Sequence, residues 1–218
     1  MMSPLLEKHQ IIARACSLGK NIIPHPAKAI LLCKGGVFSN GRFAAACGYS
    51  DMKPAARIAA VIDILDKLYA GGAVTSSAAQ AFRTSMQRRR YAGSGDRNAI
   101  GDLFWKIQRG LSRLCWHLES CNAEINGRHL VLAALVLVEQ QDESLAGFFS
   151  AEIAHAPPPL TDAEVTMVRD LASRQFADPA MPLHIALEWP EWPLADAAAT
   201  LGGDLAANLS ALALPAPT

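Results

Sequence analysis

Residues 54–68 read PAARIAAVIDILDKL. Ile58, Val61, Ile62, Leu65 and Leu68 fall at i, i+3, i+4, i+7 and i+10, a continuous apolar stripe on one face of an α-helix. Pro54 suits a first helical turn, where its missing N–H costs nothing, and Gly71–Gly72 marks a stop.

Working outward, the same period recurs. Thr75, Ser76 or Ser77 can cap a second helix running to about Arg90. After the break at Tyr91-Ala-Gly-Ser-Gly, Ser94 or Asp96 caps a third, with Ile100, Leu103, Phe104, Ile107, Leu111, Leu114 and Leu118 as its apolar positions. The spacing predicts one long amphipathic helix there. Asn126-Gly127 is a turn signal, and 129–138 is a fully apolar, buried helix. A short helix is expected over 143–149. Pro157-Pro158-Pro159 is a stiff spacer, and Thr161-Asp-Ala-Glu164 is a capping box for a helix to about Gln175. A proline-punctuated loop over 178–193 carries Trp189 and Trp192, and a last helix over 194–212 is interrupted at Gly202-Gly203. Upstream, Leu5, Ile11, Ile12 and Ala15 suit one short helix, but the remainder of 1–51 has no clean period and reads as irregular. The 218 residues are 51% hydrophobic and 6% aromatic, rich in alanine and leucine. That composition favours helix over sheet, so the expected fold class is all-α. No run approaches the roughly 20 apolar residues of a membrane helix. AILLC at 29–33 is too short for a secretory h-region. A cytoplasmic protein with no membrane partner is the expectation.

Lys and Arg number 20, as do Asp and Glu, but they are not mixed. Residues 1–51 carry net +4, residues 52–114 net +7 and residues 115–218 net −11. A basic half beside an acidic half suggests a polyanion partner; two solvated faces of opposite sign would give the same balance. Arg83, Arg88, Arg89, Arg90, Arg97, Lys106, Arg109 and Arg113 lie between positions 83 and 113, opposed within that window by Asp96 and Asp102. Arginine binds phosphate bidentately and stacks on bases, and Tyr91 can stack on an unpaired base. These nine residues form the candidate RNA-binding set. Cations near a helix C-terminus also complement its dipole, although eight exceed what that requires.

Catalytic signatures are missing. The chain has no GxGxxG, Walker loop, HExxH or GxSxG. Cys16, Cys33, Cys47, Cys115 and Cys121 match no zinc or redox spacing. His117 beside Cys115 and Cys121 lacks the fourth ligand of a structural site, so no catalytic or metal residue is assigned.

PAARIAAVIDILDKL (54–68), RRRYAGSGDRNAIGDLFWKIQR (88–109) and PEWPLADAAATLGGDLAANLSALALPAP (190–217) resemble the amino-terminal region of bacterial rRNA cytosine-C5 methyltransferases of the RsmB type. The resemblance covers about 52–217, is most specific at 91–104 and is weak over 119–180. It implies a NusB-like, all-helical RNA-binding domain over 52–176, with 177–218 as a helical linker and 1–51 as an irregular extension without counterpart. In that family a following domain binds S-adenosylmethionine and carries cysteines in Pro-Cys and Thr-Cys contexts. Neither context nor a glycine-rich cofactor loop occurs here. The resemblance thus implies a module that positions rRNA, needs no cofactor within this chain, and works with a missing or separate methyltransferase domain. A helical protein-interaction module and a NusB-like antitermination factor are the rival expectations.

Overall fold

The computed structural model describes residues 52–69, 77–141, 145–201 and 204–213. The irregular extension expected over 1–51, the Gly71–Gly72 stop and the 214–217 tail lie outside the described residues. Within them the fold is all-α: ten helices and no strand. In chain order they are α1 (Pro54–Tyr69), α2 (Ala78–Arg88), α3 (Ser94–Arg109), α4 (Leu111–Ser120), α5 (Gly127–Leu137), α6 (Leu145–Phe148), α7 (Asp162–Ala172), α8 (Leu183–Ala186), α9 (Leu194–Leu201) and α10 (Leu205–Ala213). No helix among the described residues is long and apolar enough to cross a membrane.

The apolar stripe of α1 does what its period implies. Ile58, Val61, Leu65 and Leu68 are buried, while Ile62 is half-buried at the stripe's edge. They face α5, whose residues 130–137 are all buried. A helix apolar on every side must be enclosed by others, and α5 is packed by α1, α3, α4 and α7. The closest approach is at its first residue. A Cβ on Gly127 would sit 2.6 Å from Asp66 Oδ1 and 2.8 Å from Ile62 O, so only glycine lets α5 start against the backbone of α1. The Gly127 N–H donates to Asp66 Oδ1 at 2.8 Å. The aromatic pair Phe82–Phe104, with centroids 5.3 Å apart, fastens α2 to α3, and Trp105 packs edge-on against Phe104.

Local cap chemistry follows the sequence closely. Ser77 is the residue of its polar run that caps α2, accepting from the Gln80 N–H. Thr161 and Glu164 form the expected reciprocal capping box of α7. Helix α9 ends at Leu201 and α10 begins at Leu205, on either side of the interruption expected at 202–203.

Three expectations need correction. The single helix expected through Leu118 is two, because the chain turns at Gly110 between α3 and α4. A Cβ there would meet the Phe176 ring at 2.7 Å. The bend is therefore fitted to a ring arriving from the C-terminal segment, which no local period could reveal. Neither Ser94 nor Asp96 is the N-cap of α3. That position is Gly93, and Asp96 at N3 accepts the Gly93 N–H at 3.2 Å. The loop expected over 178–193 contains α8.

Candidate nucleic-acid interface

The α2–α3 corner gathers six of the nine predicted residues. Arg83 and Arg88 lie on α2 or at its end, Arg89, Arg90 and Tyr91 in the turn, and Arg97 on α3. Arg97 folds back over the turn, its Nε donating to Ala92 O at 2.9 Å and its Nη2 to Arg89 O at 3.5 Å. It thereby ties the start of α3 to the end of α2. Tyr91 stands out from this turn at 61% exposure.

The three consecutive arginines do different jobs. Arg89 points inward, and its guanidinium donates to Asp63 Oδ2 on α1 at 2.6 Å and to the Ser85 hydroxyl and carbonyl. Arg88 and Arg90 point outward and are exposed. Arg83, Arg88 and Arg90 make no ion pair among the described residues. Consecutive helical positions diverge by about 100°, so one of three neighbours can be drawn into the structure while its flanks stay in solvent.

The corner is held rigid by carboxylates. Asp96 is 1% exposed and accepts from the Arg57 Nε at 2.9 Å, the Met52 N–H at 3.1 Å and the Gly93 N–H. Burial pushes its carboxyl up, but those donors outweigh burial and leave it below its ordinary value. Asp63, shared between Lys67 and Arg89, is likewise lowered by its two cations against the upward push of burial.

The other three predicted residues lie elsewhere. Lys106 is about 14 Å along α3 from Arg97 and pairs with Glu139 at 2.6 Å. Arg109 is exposed at the end of α3. Arg113 is committed on both faces. Its Nε donates to Glu188 Oε1 at 3.0 Å, and its guanidinium lies over the Phe176 ring, 4.2 Å from the centroid. Arg89, Lys106 and Arg113 are thus neutralised by acids that the 83–113 window does not contain. Sequence inspection missed Asp63, Glu139 and Glu188, which lie 26, 33 and 75 residues from their partners. No local signal announces them. Arg83, Arg88 and Arg90 stay unpaired at the α2–α3 corner and Arg109 at the far end of α3, while Arg89, Lys106 and Arg113 are spent on ion pairs among the described residues.

The predicted absence of a metal site concerned Cys115, His117 and Cys121. Cys115 and His117 are buried, and burial pushes the Cys121 thiol up. Among the described residues no group of three or more His, Cys, Asp or Glu side chains is arranged to hold a metal ion. Comparison with known proteins finds no family model, no curated protein and no solved structure that matches this chain.

Proposed function

We propose that this chain is an RNA-binding helical module that positions a structured RNA through the α2–α3 corner. The observation that carries the proposal is the separation of roles within Arg88–Arg90. Arg89 is spent on Asp63 and Ser85, which fixes the turn, while Arg88 and Arg90, with Arg83 nearby, stay exposed without an anionic partner among the described residues. Exposed cations on a rigid corner suit phosphate oxygens. The exposed Tyr91 beside them suits an unstacked base. The resemblance of 54–68, 88–109 and 190–217 favours a NusB-like domain of the kind that begins RsmB-type rRNA methyltransferases, with rRNA as the partner, and the all-α fold is compatible with it. In that family methyl transfer belongs to a separate S-adenosylmethionine-binding domain. The role proposed for this chain is positioning.

The test is RNA binding against salt, using a labelled hairpin with an unpaired loop. Arg88→Ala with Arg90→Ala is expected to weaken binding and to lower the log–log salt slope by about 0.7–0.9 for each phosphate left without its cation, with an unchanged melting temperature. A double variant with the parent's affinity and slope would overturn the proposal. Arg89→Ala is expected to lower stability, because it leaves Asp63 with Lys67 alone.

A second reading, a protein-interaction module, is favoured by one observation. The acidic C-terminal segment exposes Trp192 at 64%, Leu183 at 45% and Leu201 at 42%. Binding that survives the arginine double variant and high salt, but vanishes on Trp192→Ala, would select it.

A further inference from the structure

Between α1 and α2 lies a cavity of about 220 Å3, lined by Ile64 and Lys67 from α1 and by Gln80, Ala81, Thr84, Ser85 and Arg88 from α2. We infer that this cavity takes one unstacked nucleotide of the bound RNA and is the place where the protein discriminates among bases. The inference rests on the RNA-binding proposal and deepens it.

Size is the first constraint. The usual range for drug-sized ligands is roughly 300–1,000 Å3. A smaller cavity suits a single base, not two stacked ones.

The lining is the second. Ile64 and Ala81 supply an apolar floor against which a planar ring can lie. Gln80, Thr84 and Arg88 are spaced i, i+4 and i+8, so they stand one above another along one face of α2. Their functional groups differ in a useful order. The Gln80 amide both donates and accepts, as a base edge requires. The Thr84 hydroxyl can do either, and the Arg88 guanidinium at the end suits a phosphate.

The third is availability. The side chains of Gln80, Thr84 and Arg88 make no hydrogen bond or ion pair among the described residues, and all three are exposed. The two other polar residues of the lining are already occupied, Lys67 by Asp63 and Ser85 by Arg89. Arg89 braces the cavity's walls against each other, because it pairs with Asp63 on α1 and bonds Ser85 on α2. The pocket is therefore shaped before ligand arrives, which lowers the ordering cost of binding. Arg88 belongs both to this cavity and to the exposed corner, so a strand whose backbone crosses the corner passes the cavity's mouth.

The experiment compares three labelled RNA hairpins with the same stem and ten-nucleotide loops of U, A or C, bound to the intact chain. The parent is expected to prefer one loop, and Gln80→Ala to bind all three alike, weakening the preferred one about tenfold. The salt slope should not move, because every phosphate keeps its cation. Thr84→Val is expected to reduce the preference in the same direction. Alanine is a good helix former, so circular dichroism and melting should match the parent. If Gln80→Ala keeps the parent's order and spread of affinities, the cavity does not read bases. If the parent binds all three loops equally, the cavity inference falls while the electrostatic corner stands. If the parent binds none of them, both fall together.

Discussion

Residues 130–137 of α5 are all buried, whereas α9 and α10 bury Leu209 alone among residues whose side chains are described. The first region is built from apolar periodicity. The C-terminal segment is attached by a few polar and aromatic latches on α4. Glu188 is the principal one. It has a left-handed backbone, φ 55°, and its carboxylate accepts the N–H groups of Ser112 at 2.9 Å and Arg113 at 3.1 Å. The orphan donors of the first turn of α4 are thus satisfied by a residue 75 positions away. Phe176 wedges against Gly110 and under Arg113, and its carbonyl accepts from His117 Nε2 at 3.4 Å. The contrast teaches that a helix with a full apolar surface finds its own place. The short α8 is instead held on α4 by the Glu188 carboxylate, two residues beyond its end.

The largest expected effect tests the first region. Phe104 is 0% exposed and stacked on Phe82. Phe104→Ala should cost about 3–5 kcal/mol in urea unfolding. Leu201→Ala, 42% exposed at the end of α9, should cost far less. Equal losses would erase the distinction between the two regions.

Next is Glu164 at the edge of that core. It accepts from Arg128 Nε at 2.6 Å, from Arg128 Nη2 at 3.1 Å and from the Thr161 N–H at 2.8 Å. Arg128 also donates to the carbonyls of Pro158 and Pro159, so one guanidinium ties the proline spacer and α7 to α5. Glu164→Gln should cost about 3 kcal/mol, because it leaves a partly buried cation unpaired. The Arg128 guanidinium holds the Glu164 carboxyl at about 2, well below its ordinary 4.5. A carboxylate lowered by folding adds stability that is complete above about pH 4.5 and is lost as pH falls toward 2. Acid unfolding of the Gln variant should show a shallower pH dependence across that window.

Glu188→Ala bears on the latch directly. It uncaps α4 and removes the anion from its positive end, an effect of about 1–2 kcal/mol. Hydrogen exchange should accelerate at Ser112, Arg113 and 183–188, while amides of α1 and α5 keep the parent's protection. Uniform acceleration would show that the C-terminal segment is integral to the core.

The smallest effect is a pH dependence at His117. Its ring is 0% exposed, and Nδ1 is the one buried side-chain nitrogen or oxygen left without a partner among the described residues. Burial holds its pKa below the ordinary 6.5, with the nearby Arg174 cation reinforcing that and the Phe176 carbonyl and Asp178 opposing it. A histidine kept neutral by folding contributes stability that is full above about pH 6.5 and declines as pH falls below it. Exchange protection at 174–178 should decline over that range in the parent and stay flat in His117→Leu. A flat profile in both would mean the ring remains solvated.

The all-α class was legible in residues 54–68 and 129–138 because helical burial depends on a period of 3.6, which is written in consecutive residues. The caps at Ser77 and Thr161–Glu164 were legible for the same reason, their partners being three residues apart. The bend at Gly110 was not, since its cause, the Phe176 ring, lies 66 positions away. Nor was the division of the basic run. Arg88, Arg89 and Arg90 are chemically identical in sequence, and what separates them is which one α1 meets with Asp63. Charge pairing acts over a few ångströms in space without regard to separation along the chain. Helicity and the clustering of cations can therefore be read from consecutive residues. Which of those cations meet distant carboxylates and which stay exposed depends on how the helices pack.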